Sequence, residues 1–339
     1  MTRLASTPTR DDAVAAEAVR AGDQAAFSAL AERHRRELQV HCYRMLGSLE
    51  DAEDQVQETF LRAWRNRAGF EGRAPFRAWL YRIATNACLD ALARAPRPAA
   101  APPADGGPPV EVSWLEPYPD HLLEGVAPSE EGPEALTVAK ETIELAYLVA
   151  IQHLPPRPRA VLIMRDVLGW SAKDTAELLD TTVAGVNSAL QRARGALKRH
   201  LPERRLEWEA GADPSEGERE LVRRYVEATE RRDAEAVAVM MREDARFAMP
   251  PQPGVWTGPR AIVDAWIEGG FVAPEFGDLR CVVTRSNRQP AVACYRRRPG
   301  EDTFRPMAID VLRIEEGAIA DIVTFGPEVF PSFGLPPTI

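Results

Sequence analysis

Two all-α helical domains, the second a helix-turn-helix, followed by a C-terminal α+β domain: this multidomain architecture is predicted by three observations. Apolar residues recur three to four apart through 49–94 and again through 135–201, the spacing of amphipathic helices. Between these stretches, 95–132 becomes rich in Pro and Ala, a composition that supports neither a regular helix nor a central strand. Beyond Pro202 the pattern changes to alternating runs at 279–286, 291–297 and 304–315, the last entering 318–325 through a Glu316-Gly317 turn, as antiparallel hairpins do. At 339 residues two or three domains are expected on length alone.

Residues 1–21 are expected to be a flexible N-terminus and 22–95 the first helical domain. Ala25, Phe27, Leu30, Leu38, Val40, Tyr43 and Leu46 continue a helical pattern that Gly47 ends, and Ser48 or Asp51 can cap the next helix. That helix carries Val56, Phe60, Leu61 and Trp64 on its apolar side and Asp51, Glu53, Asp54 and Glu58 on its polar side. A Gly-containing loop, Ala68 to Pro75, leads to a helix with Phe76, Trp79, Leu80, Ile83, Ala87 and Leu92, whose charges are Arg77, Arg82 and Arg94. One helix can face a basic protein and the other a phosphate backbone. Phe70, Arg73, Arg77, Arg82 and Asn86 offer an aromatic face, charges and an amide, groups of the kind that hold unstacked bases and read their edges.

Residues 96–134 form a Pro/Ala-rich linker, and within it VSWLEPYPD, 112–120, is too aromatic for a passive spacer. It either docks on a partner or another domain, or packs as a local turn. In the second helical domain, 135–202, Leu136, Ile143, Leu145, Leu148 and Ile151 mark one helix, and Pro155, Pro156 and Pro158 open another that runs to Val167. Ser171 caps a helix over 172–179, a turn follows at 180–182, and a basic helix runs over 183–200. A recognition helix points its N-terminal residues at base edges while basic groups hold phosphates. Thr182, Asn187, Ser188 and Gln191 are the expected reading surface, and Arg192, Arg194, Lys198 and Arg199 the phosphate grip.

The runs DAEDQVQETFLRAW and FRAWLYRIATNACLD resemble the core-polymerase-binding and promoter-melting segments of extracytoplasmic-function (ECF) sigma factors of the sigma-70 family. Periodicity alone favours ordinary core helices, with Phe76 and Trp79 as core side chains; the resemblance carries the functional reading. It implies core RNA polymerase and promoter DNA as partners. Asp51, Asp54, Gln57, Glu58, Phe60 and Trp64 are then the polymerase surface, the Phe70–Arg73 loop captures bases, and Asn86 falls where the melted minus-ten element is read. By the same resemblance 135–202 reads the minus-thirty-five element and the linker threads through the polymerase.

After a second linker, 203–215, the C-terminal domain spans 216–339. Residues 218–241 read as two helices broken near Arg232-Asp233, 246–258 as short extended pieces and 258–271 as a further helix. With the alternating runs, this order resembles the SnoaL-like, ketosteroid-isomerase-type cone, and MPPQPGVW resembles the corresponding stretch of sigma factors that carry such a domain. The candidate ligand pocket is Phe247, Met249, Trp256, Trp266 and Asp310, with Asp264 and Glu268 as further acids. All five His residues lie at or before His200, so no His–Asp pair can form here, and a regulatory or ligand-binding domain is expected rather than an enzyme. The contact it makes is expected to be with a small molecule or with the chain itself. The alternative is a promoter-binding module fused to an active isomerase- or cyclase-type domain. A conventional helix-turn-helix repressor leaves 49–94 unexplained.

The net charge of −9 argues against an indiscriminate nucleic-acid binder. Cys42, Cys88, Cys281 and Cys294 form no CxxC pair and lack His at zinc spacing, so buried thiols are expected, with no metal and no cofactor. No apolar run reaches a membrane span and 1–23 lacks a hydrophobic signal core, so a cytoplasmic protein without membrane contact is expected.

Overall fold

The computed structural model describes residues 17, 19–70, 75–95, 115–123, 145–200, 215–252 and 254–339. Arg73, the side chain of Arg199, residues 1–16 and most of both linkers lie outside the described residues. Two compact units form, one drawn from 1–99 and 125–208, the other from 100–124 and 209–339.

In the first unit, α1 (Gln24–Leu46) is capped by Asp23, whose side chain accepts the Ala26 amide at 3.0 Å. Gly47 ends it at a φ of 75°, a conformation glycine enters without penalty. Ser48 caps α2 (Leu49–Arg65), with Glu50 and Asp51 in its first turn and Arg62 and Arg65 in its last, as the helix dipole favours. The buried stripe of α2 is Leu49, Ala52, Val56, Thr59 and Ala63. The larger apolar residues are shifted off it: Leu61 is 50% exposed. α3 (Phe76–Arg94) buries Phe76, Leu80, Ala84, Ala87, Cys88 and Leu92.

The next helices are α4 (Leu145–Gln152), α5 (Pro156–Leu162, prolonged by a π turn at Ile163–Val167), α6 (Ala172–Leu178) and α7 (Val183–His200). Ser171 caps α6 by accepting the Asp174 amide at 3.0 Å. Asp180 takes a φ of 49° in the turn before α7. Arg159, 4% exposed, is the clasp of this unit. Its guanidinium donates to the carbonyls of Met45, Gln152 (2.8 Å) and Leu154 (2.9 Å) and to the Gln152 side chain, while Gln152 donates to the Arg44 carbonyl at 3.0 Å. The last carbonyls of a helix have no partner within it; those at the end of α1 are met by side chains more than a hundred residues away.

The second unit begins with α8 (Glu216–Glu230), opened by a reciprocal Ser215/Glu218 capping box. α9 (Ala234–Ala238) is short, and β1 (Met241–Ala248) starts at once. The expectation of a helix to Met241 is therefore corrected: α9 ends at Ala238, and Met241 opens a strand in which Ala245 and Phe247, two residues apart, face the core. Then come β2 (Val255–Thr257), α10 (Pro259–Glu268), β3 (Asp278–Ser286), β4 (Gln289–Arg297), β5 (Arg305–Glu315) and β6 (Ala318–Phe325). The sheet order is β2-β1-β6-β5-β4-β3, and it is mixed rather than purely antiparallel because β1 runs parallel to β6. Two-residue turns with positive φ at both positions, Asn287-Arg288 and Glu316-Gly317, close β3–β4 and β5–β6, the geometry that matches strand twist. Leu221, Val222, Tyr225, Val237, Phe247, Ile262, Val292, Leu312 and Ile322 pack into one core. On the opposite side of β4, Tyr295 meets Phe330 edge-on at 5.1 Å and donates to the Pro336 carbonyl at 2.9 Å.

Candidate polymerase and promoter surfaces

Along α2, Asp54 and Gln57 are exposed, Asp51 and Glu58 half-buried. Glu58 accepts from Arg62 at 2.7 Å, and Arg62 also reaches Asp90 at 2.6 Å. Phe60 lies under the Arg35 guanidinium at 5.0 Å, and Trp64 packs on Phe27 at 5.2 Å and under Arg67 at 4.3 Å. Phe60 and Trp64 are thus held against neighbouring residues of their own unit. The exposed apolar group beside the acids is Leu61, which the spacing had assigned to the core stripe.

Two of the residues expected at the DNA have partners within their own unit. Phe70 is 4% exposed and packs on Phe76 at 5.5 Å and Trp79 at 4.9 Å, so its ring belongs to the aromatic core of its own unit. Arg77 donates to Glu37 at 2.7 Å and lies over the Tyr81 ring at 5.0 Å. Burial would raise the Glu37 carboxyl, but the His34 hydrogen bond and the Arg77 charge outweigh it and hold it below the usual range. Arg77 is therefore part of the fold's internal ion pairing. Arg82 and Asn86 are exposed and, four residues apart, share one face of α3.

On α7, Val186, Leu190 and Ala193 are buried, which leaves Asn187, Ser188, Gln191, Arg192, Arg194 and Lys198 outside. Thr182 is exposed, but its hydroxyl accepts the Gly185 amide at 3.0 Å and so caps the helix. Arg192 donates to Ser188 at 2.6 Å. Arg194 forms a two-pronged pair with Asp166, one arm at 2.8 Å, so its charge is already partnered.

In the second unit, Phe247 contacts Trp256 at 5.4 Å and Trp266 at 5.5 Å, and Met249 joins the same core. Asp310 is buried; its oxygens accept from Tyr225 at 2.9 Å and Thr324 at 2.6 Å. Burial raises its carboxyl above the usual range, against the pull of those two hydroxyls. Asp264 is exposed and ion-paired with Arg260 at 3.7 Å, and Glu268 is exposed. Sequence spacing had no means of finding Tyr225 and Thr324, which reach Asp310 from α8 and β6.

The aromatic island resolves into a strap, Leu115 to Leu123, bound on the β3–β4 turn. Pro119 bridges Ser286 antiparallel. The Tyr118 amide donates to the Asn287 side chain at 2.7 Å, and the Asn287 amide returns a bond to the Tyr118 carbonyl at 2.8 Å. Asp120 takes the Arg288 amide at 2.8 Å and pairs with Arg285 at 3.1 Å. Leu115, Tyr118 and Leu123 are buried. Among the described residues no three His, Cys, Asp or Glu side chains gather in a metal-binding group, and no helix is long and apolar enough to cross a membrane.

Comparison with known proteins agrees with this division. Family profiles match Sigma-70 region 2 over residues 30–97, Sigma-70 region 4 over 144–197 and a SnoaL-like domain over 222–322. The ECF RNA polymerase sigma factor SigG of Mycobacterium tuberculosis is 41% identical over 323 residues, covering 92% of this chain and 85% of its own. The ECF sigma factor SigW of Bacillus subtilis is 31% identical over 185 residues, 54% of this chain and 92% of its own. The crystal structure of Mycobacterium tuberculosis SigJ superposes over 91% of this chain and 99% of its own, with a TM-score of 0.58 at 22% identity, a likeness of fold. The helical domains so identified bind core RNA polymerase and promoter DNA. The chain belongs to the ECF RNA polymerase sigma factors, with a SnoaL-like domain at its C-terminal side.

Proposed function

We propose that this sigma factor meets the polymerase through the α2 face of Asp54, Gln57 and Leu61, with Asp51, Glu58, Phe60 and Trp64 shaping that face from beneath. Arg82 and Asn86 on α3 meet the melted minus-ten element. Asn187 and Gln191 read the minus-thirty-five element, and Arg192 and Lys198 hold its phosphates. Exposed acids beside an exposed leucine are suited to a basic, partly apolar partner.

The SnoaL-like domain regulates rather than catalyses in this reading. The observation that carries it is the strap: a piece of the linker between the two DNA-reading domains is bound to the β3–β4 turn by hydrogen bonds at Tyr118 and Asp120. Burial of three side chains and a handful of hydrogen bonds stabilise it by on the order of 10 kcal/mol, and ordering nine residues costs a comparable amount. A contact so balanced can be released. Asp310 also fits a structural role better than that of a general base, since Tyr225 and Thr324 already occupy its two oxygens.

Run-off transcription with purified core polymerase tests the reading. A chain ending after Glu209 should still bind polymerase but transcribe at a changed level. Identical transcription, together with substrate turnover by the full chain that Asp310→Asn abolishes, would replace regulation with the fused-enzyme alternative.

A further inference from the structure

The fold sorts the four cysteines into two pairs that sequence spacing does not show. Cys42 and Cys88 are fully buried in the helical unit, with their thiols in hydrogen-bond contact. Cys281 and Cys294 face each other across β3 and β4, Sγ to Sγ at 3.3 Å. β3 is the edge strand, and Cys281 is only partly buried while Cys294 is 1% exposed.

The backbone geometry favours a bond between the second pair. The Cys281 amide points away from β4 and donates to Glu230 Oε1 at 2.9 Å. In an antiparallel ladder the amide and carbonyl of one residue point to the same side, so Cys281 and Cys294 occupy a non-hydrogen-bonded position. There the Cα atoms of partners lie about 4.5 Å apart, inside the span that disulfides bridge. Closing the sulfurs from 3.3 Å to bonding distance needs side-chain rotation and a small strand adjustment, and an edge strand is held by a ladder on one side only.

We propose that Cys281 and Cys294 form a reversible intrachain dithiol/disulfide couple, oxidised by hydrogen peroxide. Cys281, the accessible member, attacks the peroxide oxygen as thiolate; the O–O bond breaks, hydroxide leaves and takes a proton to become water, and Cys281 is left as a sulfenic acid. Cys294 then attacks the Cys281 sulfur, the S–S bond forms, and the hydroxyl leaves as a second water carrying the Cys294 proton. One peroxide is reduced to two waters and two thiols are oxidised to one disulfide, which an added dithiol reverses by exchange. Cys294 is the resolving partner because its thiol is buried against Cys281 and Asp310 and pushed well above its ordinary range by the Cys281 hydrogen bond and by burial; the sulfenic acid beside it supplies the electrophile.

The test uses the full chain under native conditions. It is treated with hydrogen peroxide in slight molar excess, alkylated with iodoacetamide under denaturing conditions and digested with trypsin. Cleavage after Arg280, Arg285, Arg288 and Arg296 places Cys281 in CVVTR and Cys294 in QPAVACYR. The expected product is these two peptides linked, two hydrogens lighter than the pair and separated by dithiothreitol, while Cys42 and Cys88 are recovered alkylated. Cys281→Ser should abolish the link, and its half-exposed edge position keeps that variant folded. Recovery of both Cys281 and Cys294 alkylated after peroxide, sulfinic acid at Cys281 in place of the link, or a link found only in dimers on a non-reducing gel would each overturn the proposal.

Discussion

His41 places a titratable ring where water does not reach: it is fully buried, its Nε2 lies 3.0 Å from the Thr85 hydroxyl and its ring 5.1 Å from Tyr81. Burial, aided by the nearby Arg44 charge, pushes the imidazole down to about 3. The unfolded chain takes up this proton as pH falls below about 6.5, while the folded chain stays neutral, so stability declines with acidification in that window. At about pH 5.5 the loss is about 1 kcal/mol relative to neutral pH. Urea unfolding followed by helical circular dichroism should show this decline, and His41→Gln should flatten it; equal pH slopes in both proteins would refute the assignment. Asp310 has the opposite sign. Its raised carboxyl favours the protonated fold, so the stability it contributes is full below the ordinary carboxylate range and is lost as pH rises through the raised value. Tyr225→Phe removes a hydroxyl that eases the ionised form. It should destabilise the second unit by about 1–3 kcal/mol, with the deficit wider in alkaline than in acidic melts.

At the scale of elements, α7 separates two kinds of basic residue that composition treats alike. Arg192 and Lys198 are exposed, whereas Arg194 is clamped to Asp166. Alanine at Arg192 or Lys198 should make the logarithmic salt dependence of promoter binding shallower by about one unit. Alanine at Arg194 should change it less, because that charge must leave Asp166 before it meets a phosphate; a full unit at Arg194 would show the pair opens without cost. On α2, Asp54→Lys should weaken polymerase association by about tenfold with the helical signal unchanged. These elements were legible because amphipathic spacing and caps are local: Ser171, Ser48 and Gly47 act where the sequence put them, and the β3 to β6 strands fall within a residue or two of the alternating runs. What stayed hidden depends on distant partners. That Phe70 packs on Phe76 and Arg77 pairs with Glu37 is not visible in the spacing of either residue. The end of α9 and the start of β1 were blurred because Met240 and Met241 suit either period. Arg159, Gln152 and Tyr225 are ordinary residues whose weight comes from groups they meet far along the chain.

For the whole molecule, the path of the chain matters more than any one contact. After α3 the chain leaves the first unit, contributes the strap 115–123 to the second, and re-enters the first at α4. The two DNA-reading domains are thus joined by a linker whose middle is tied down elsewhere. Releasing the strap unties its nine residues, and the distribution of end-to-end distances available to a linker widens with the number of its free residues. Asn287 is the place to cut this tie without disturbing the hairpin. Its side chain takes the buried Tyr118 amide and the Ser286 hydroxyl, and its φ of 56° is one that glycine adopts freely. Asn287→Gly should keep the turn and strand ladder while leaving the Tyr118 amide without its acceptor, a loss of about 1–3 kcal/mol that lowers strap occupancy by roughly tenfold or more. Amide exchange at Tyr118 should then speed up with β4 and β5 still protected. Run-off transcription should shift in the same direction as for the chain ending after Glu209, with polymerase affinity unchanged. If exchange at Tyr118 accelerates yet transcription stays at the full-length level while truncation alters it, the domain acts through some contact other than the strap.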